Sequence, residues 1–235
     1  MTLYIIGLGL TIRGISLHGK KILKNIKKIY LENYTVEYPY TEKKLEKELK
    51  IKVIEANREF VESEAIVLMS KKEDVALLVY GSPLMATTHI SLINSCKKSK
   101  VEYKIFHSGS VFDAVAECGL SFYKFGKTAS LPKWQKNFEP KSFMEIIKDN
   151  QKINAHTLLL IDIGLRFDDA REQLKESGLR EKVIVCSRLG VRSKFYFGKL
   201  DEIPSEKVKA PYCIIIPGNL SHDEEENLRL LCQDT

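Results

Sequence analysis

The chain of 235 residues has five cysteines without a shared motif, no long apolar run and no paired histidines, and each shortage removes a class of protein. Cys96, Cys118, Cys186, Cys213 and Cys232 form no C-x-x-C and have no metal-ligand spacing with histidine. An odd, scattered set of thiols in apolar contexts reads as a cytoplasmic protein rather than a disulfide scaffold or zinc ribbon. No stretch approaches the ~20 apolar residues that span a bilayer, so no membrane association is expected. The first ten residues are apolar, but they lack a basic leader and soon meet Arg13; they read as a first strand, not a signal peptide. His18, His89, His107, His156 and His222 stand apart, with no H-x-x-x-H or H-E-x-x-H, so each reads as structural and no metal site is expected. No serine lies in G-x-S-x-G. Gly7-Leu8-Gly9 begins a dinucleotide fingerprint, but Ile12 occupies the third glycine's place. Residues 14–21 imitate a phosphate loop yet end in Lys21, where Ser or Thr should hold magnesium. Internal repeats and low-complexity segments are absent.

What remains is a globular composition, 44% apolar and 29% charged, with a formal net charge of +6. Lysines gather at Lys20, Lys21, Lys24, Lys27 and Lys28 and again at Lys97, Lys98 and Lys100. Such clusters are ordinarily solvated helix faces, and they also suit an acidic partner. Without interleaved aromatics or a recognisable module, direct reading of nucleic acid is not expected.

Apolar runs bounded by turn residues predict strands at residues 3–6, 29–31, 53–54, 75–80 and 103–107. Helices are expected at residues 16–26, 41–50, 57–69 and from about 84 to 98. This β-α-β alternation predicts a largely parallel sheet with helices on its faces. After Gly119 the pattern changes. A strand and turn are expected over residues 122–127, strands at 156–163, 183–186, 195–197 and 212–216, and helices at 142–150 (with a capping box from Ser142), at 166–177 and from 221 onward. Residues 131–141, with two prolines and Trp134, read as a surface loop. The fold class is therefore α/β with two α/β domains, residues 1–110 and 111–235.

The stretch V-A-L-L-V-Y-G-S-P-L-M-A-T-T-H at residues 75–89 organises the first domain. A buried strand ends at Gly81, and Pro83 forces Ser82 into an extended conformation, so the strand delivers a loop to the crevice where open α/β sheets bind ligands. H-S-G-S-V-F at residues 107–112 repeats the device, with Ser110 as N-cap and helix-start N–H groups free for a carboxylate. Asp162, at the end of a buried strand, either caps a turn or touches a ligand; capping is preferred. No nucleophile, metal set or phosphate loop is encoded, which leaves an enzyme whose cofactor carries the reactivity.

Taken together, L-Y-I-I-G-L-G-L at residues 3–10, Y-L-E-N-Y-T at 30–35, S-P-L-M-A-T-T-H at 82–89, G-L-S-F-Y-K-F-G-K at 119–127 and H-T-L-L-L-I-D-I at 156–163 resemble the tetrapyrrole-methylase-like methyltransferases. The resemblance runs through almost the whole chain. A-T-T-H and Y-K-F-G-K point to the branch acting on translation elongation factor 2, while N-R-E-F-V-E at 57–62 and S-R-L-G at 187–190 point to its eukaryotic members. It implies S-adenosyl-L-methionine folded in a cleft between two domains, in a homodimer. The implied substrate is the 3-amino-3-carboxypropyl-modified histidine of elongation factor 2, methylated on its amino group and, in eukaryotic members, on a carboxylate as well. Carried over by position, the resemblance implies cofactor contacts from Leu10, Ser82, Met85, Ser110, Val111, Ile161, Leu189 and Tyr212, and no catalytic base. The chain departs from the family at Ser82, where an Asp is usual, at Gly164, where a Lys is usual, and in a shortened connection from Gly164 to Val183. The alternatives are a non-catalytic relative that still binds the elongation factor, and a family member acting on a precorrin or ribosomal RNA.

Overall fold

The structure, a computed structural model, describes residues 1–232. It divides into two compact units, residues 1–113 and 114–235.

The first unit is built on an all-parallel sheet. Its elements in order are β1 (Thr2–Gly7), α1 (Leu17–Leu23), β2 (Lys28–Glu32), α2 (Glu42–Leu49), β3 (Ile54–Ala56), α3 (Arg58–Glu62), α4 (Ala65–Met69), β4 (Val75–Val79), α5 (Ile90–Lys98) and β5 (Glu102–Phe106). Strand order is β3-β2-β4-β1-β5. The central strand β4 is apolar and buried at every position because both faces are covered. Leu3, Ile5, Val75, Leu77 and Val79 pack with Val61, Ile66, Leu92 and Ile93 from α3, α4 and α5. The alternate residues Ile6, Ala76 and Leu78 pack with Leu23, Leu45 and Leu49 from α1 and α2. Period-two alternation along each strand thus assigns helices to opposite faces.

Local chemistry sets most boundaries. Ser16 caps α1 by accepting from the Gly19 N–H at 3.0 Å, as expected, although α1 stops at Leu23 rather than Ile26. Gly19 sits buried inside α1, where a Cβ would meet Ile6 Cγ2 at 3.0 Å; the phosphate-loop look-alike is helix packed on the sheet. The single helix expected over residues 57–69 is two helices. Ser63 is extended (ψ 169°), its hydroxyl donates to the Phe60 carbonyl at 2.8 Å, and the Ala65 N–H donates to it at 3.2 Å, so Ser63 ends α3 and holds the first N–H of α4, whose N-cap is Glu64. Nor does a helix begin directly after Pro83. Leu84 (φ 70°) and Ala86 (φ 55°) are left-handed, which interrupts any helix until Ile90.

A short helix, α6 (Val111–Ala114), and a 3₁₀ turn (Val115–Cys118) follow. The second unit then contains β6 (Ala129–Leu131), α7 (Ser142–Lys152), β7 (Thr157–Ile161), α8 (Phe167–Glu176), β8 (Val183–Ser187), β9 (Lys194–Gly198), β10 (Tyr212–Ile216) and α9 (His222–Leu231). Its sheet, β6-β7-β10-β8-β9, is mixed: β6 and β7 are parallel, the other neighbours antiparallel. Phe143 and Ile147 of α7 and Phe167, Ala170 and Leu174 of α8 pack on Leu159, Val185 and Ile214.

Two expectations fail here. The strand expected within residues 122–127 is reduced to one parallel bridge, Phe125 with His156; Phe122–Lys124 form a 3₁₀ turn, because Glu224 holds the Ser121 N–H at 3.0 Å and also pairs with Lys124. The capping box at Ser142 does not form. Ser142 is already inside α7, and Lys141 stands at the cap without a side-chain bond. The last helix does carry a box, since the Glu224 N–H donates to Ser221 Oγ and the Ser221 N–H to Glu224 Oε2.

Candidate functional site

Three loops leave the carboxyl ends of β1, β4 and β5 and lock together. The Gly9 and Gly81 backbones exchange hydrogen bonds of 3.0 and 3.1 Å, joining the first loop to the second. Ser108 Oγ donates to the Gly14 carbonyl at 2.6 Å and the Ser108 N–H donates to Ser82 Oγ at 3.4 Å, joining the third loop to both. A Cβ on Gly7 would lie 2.6 Å from the Gly81 carbonyl oxygen and 2.8 Å from Pro83 Cδ, so only glycine allows this approach. At the mouth the situation reverses. A Cβ on Gly109 would meet nothing within 4 Å, and the nearest atoms to one on Gly81 would belong to Ser110 and Gly109, from 3.8 Å outward.

The predicted residues of this unit gather here. Leu10 is half-buried, and its carbonyl accepts from the Tyr80 hydroxyl at 3.0 Å. Ser82 is buried, with Oγ 3.4 Å from His107 Nδ1. Met85 is exposed and Val111 half-buried. Ser110 is buried as a cap: the Phe112 N–H donates to its Oγ at 3.2 Å. The expectation that helix-start N–H groups wait for a ligand carboxylate is overturned at Ser110. Its N–H and hydroxyl both donate to Asp113 Oδ2, at 2.6 and 2.8 Å, so the chain supplies its own carboxylate.

In the second unit, β10 runs antiparallel between β7 and β8. Ile161 ends β7, Tyr212 begins β10, and Leu189 lies two residues past β8, so the three share one end of that sheet. The Tyr212 hydroxyl donates to the Leu165 carbonyl at 3.0 Å, and burial, with Asp169 and Asp168 nearby, raises its pKa. Asp162 is a turn residue. Its carboxylate accepts from the Lys133 N–H at 3.1 Å and the Ile163 N–H at 3.0 Å.

Sequence reasoning missed the residues that knit these loops, chiefly Tyr80 and Ser108, whose partners are backbone carbonyls 70 and 94 positions away. It also left two histidines without partners that the fold provides. His89 Nε2 is 3.0 Å from Glu32 Oε2, both side chains 1% exposed. His156 Nδ1 accepts from the Gly218 N–H at 3.0 Å, which leaves Nε2 to donate to Glu224 Oε1 at 3.0 Å. That geometry makes His156 a neutral imidazole. Burial lowers its pKa against the pull of Glu224. Burial alone would raise the Glu224 carboxyl, but Lys124, the Ser221 and Ser121 N–H groups and His156 together hold it well below the usual range. Among the described residues no cluster of three or more His, Cys, Asp or Glu side chains could hold a metal ion.

The model of the Tetrapyrrole (Corrin/Porphyrin) Methylases matches residues 2–204. The chain belongs to this family. As a tetrapyrrole methylase it is an S-adenosylmethionine-dependent methyltransferase. Within the family it is 35% identical to a diphthine synthase of Methanococcus maripaludis, over 97% of this chain and 98% of the relative. It is 40% identical to a diphthine methyl ester synthase of Schizosaccharomyces pombe, over 69% of this chain and 59% of that one. A crystal structure of diphthine synthase superposes with a TM-score of 0.89 at 26% identity, covering 99% of this chain and 96% of that chain. The two-domain α/β architecture is thus the methylase fold.

Proposed function

We propose that this tetrapyrrole methylase is a diphthine synthase: it transfers methyl groups from S-adenosyl-L-methionine to the 3-amino-3-carboxypropyl-modified histidine of translation elongation factor 2. The observation that carries the reading is the end-to-end match to a diphthine synthase, over 97% of this chain and 98% of the relative. The loops of the first unit fit the cofactor. Gly81 and Gly109 front space that a side chain would fill, and Leu10, Met85 and Val111 offer an apolar lining beside it. Ile161, Leu189 and Tyr212 are proposed as further cofactor contacts from the second unit.

The cofactor, when bound, supplies a methyl group that is already electrophilic on its sulfonium. The chain's own part is to orient and exclude water, and a rigid set of loops does this without an acid–base dyad. Leu10 is held by Tyr80, and Ser82 ties the second loop to the third by accepting from the Ser108 N–H, a bond for which its hydroxyl serves as acceptor in place of the family's Asp. Positioning of this kind accounts for up to ~7–11 kcal/mol of a barrier in favourable cases. A homodimer acting in the cytoplasm on a protein substrate belongs to the same proposal.

The test is methyl transfer to elongation factor 2 purified from cells lacking only this step, read by mass spectrometry of the modified histidine. Added methyl groups are the expected result, and their number separates a synthase from a methyl ester synthase. Cofactor binding by calorimetry without transfer would instead favour a non-catalytic relative; transfer to a precorrin or to ribosomal RNA alone would overturn the substrate.

A further inference from the structure

Behind the loops of the first unit lies a cluster of buried polar side chains that the proposed cofactor contacts do not use. Six buried side-chain polar atoms lack a hydrogen bond among the described residues, and five of them are here: Glu32 Oε2, Tyr34 Oη, Tyr40 Oη and both ring nitrogens of His89. His89 Nε2 and Glu32 Oε2 are 3.0 Å apart, close enough for an ion pair but out of line for a hydrogen bond. Interiors seldom leave such atoms unpartnered, and an apolar pair of the same volume serves a core at least as well. Stability alone is a poor reason for this cluster.

Its connections suggest a better one. His89 immediately precedes α5 and closes the loop over residues 81–88, which carries Ser82 and Met85. That loop is anchored at its start by the Gly9–Gly81 pair and passes through left-handed Leu84 and Ala86, a conformation that side-chain-bearing residues adopt only when their surroundings hold them. At its far end His89 faces Glu32, the last residue of β2. The second Glu32 oxygen accepts from the Thr35 hydroxyl, and the Glu32 carbonyl accepts from the Tyr38 hydroxyl at 2.8 Å. Tyr38 stands edge-on to Tyr80, with centroids 5.3 Å apart, and Tyr80 donates to the Leu10 carbonyl. A continuous chain of side chains therefore runs from the end of the second loop to the first.

We propose that His89 and Glu32 are positioning residues for the cofactor, fixing the far end of the 81–88 loop and, through Tyr38 and Tyr80, the placement of Leu10. The proposal rests on the reading that these loops hold S-adenosylmethionine. It also gives a physical role to two of the motifs that carry the family resemblance, since Glu32 lies in Y-L-E-N-Y-T and His89 ends A-T-T-H.

The experiment is calorimetric titration of S-adenosylmethionine into the full-length protein and its His89→Leu, His89→Gln and Tyr80→Phe variants, with each urea midpoint measured without cofactor. The expected result is a loss of about tenfold in affinity for His89→Leu, about 1.4 kcal/mol. His89→Gln, which keeps a polar side chain beside Glu32, recovers most of that loss, and Tyr80→Phe weakens binding several-fold while its urea midpoint falls by no more than the loss of one buried hydrogen bond. Wild-type affinity in both His89→Leu and Tyr80→Phe overturns the proposal. So does an affinity loss that is equal in His89→Leu and His89→Gln and follows their urea midpoints. If His89→Leu does not fold, Tyr80→Phe decides the matter alone. A wild-type protein that takes up no cofactor overturns the cofactor reading itself, and with it this proposal.

Discussion

At Gly7 a side chain would begin 2.6 Å from a backbone oxygen, whereas at Gly109 it would meet nothing within 4 Å. Two alanine substitutions should therefore separate architecture from binding. Gly7→Ala is expected to lower unfolding free energy by about 1–3 kcal/mol, because backbone rather than a flexible side chain must give way. Gly109→Ala is expected to leave it within ~0.5 kcal/mol while weakening S-adenosylmethionine, since the new methyl enters the space proposed for it. Urea unfolding and calorimetry read the two effects; equal stability for both variants would count against the interlocked loops. A second residue-scale prediction concerns pH. His156 and Glu224 both have pKa values lowered by folding, so the unfolded chain binds more protons as acid is added. Stability is expected to decline below about pH 6.5 through His156, and further below about pH 4.3 through Glu224. His156→Gln should flatten the upper part of that decline in a plot of urea midpoint against pH, and a midpoint that rises on acidification would refute the assignment. The strand-end loops that carry Ser82 and Ser110 were legible because each follows an apolar run broken by small residues, whereas Leu10 came from the family resemblance. Tyr80 and Ser108 were not, because a hydroxyl that binds a distant carbonyl leaves no local pattern.

Elements were read best where a cap is encoded beside a periodic apolar face. Thr41 caps α2 by accepting from the Lys44 N–H, and Leu45 and Leu49 are its buried residues, as the spacing indicates. The failures are of two kinds, local caps misplaced by a residue or so and one segment held by a partner far along the chain. Ser63 divides α3 from α4, Lys141 rather than Ser142 stands at the cap of α7, and F-Y-K-F is drawn into a 3₁₀ turn by Glu224 although its composition favours a strand. Glu224 also completes the box with Ser221 at the start of α9. Ser221→Ala should accordingly destabilise the protein by about 0.5–2 kcal/mol, the range for a lost N-cap, measurable as a lowered urea midpoint. No change would mean that the Lys124 and His156 contacts hold α9 without its cap.

For the molecule as a whole, each unit has its own sheet and core, and the cysteines report on them separately. Cys96 is buried in the first unit, Cys118, Cys186 and Cys213 in the second, and Cys232 is half-buried near the end of α9. A thiol reagent should modify Cys232 first, and the others only as their unit opens, with rates that rise together in urea for the three in the second unit. Mass spectrometry of labelled peptides checks this; rapid labelling of Cys186 in native protein would contradict its place in the sheet. Burial pushes the Cys96 thiol up to about 11, which further slows its attack at neutral pH. By itself the amino-acid sequence determined the α/β class, the strand-end loops and the family motifs, because periodicity and turn chemistry act between near neighbours. Only tertiary structure decided that the second sheet is mixed, that Asp113 occupies the start of α6, and that the histidines of two family motifs face Glu32 and Glu224. Those outcomes depend on groups far apart in the chain meeting in low-dielectric surroundings, where a partner's identity and distance set the energy.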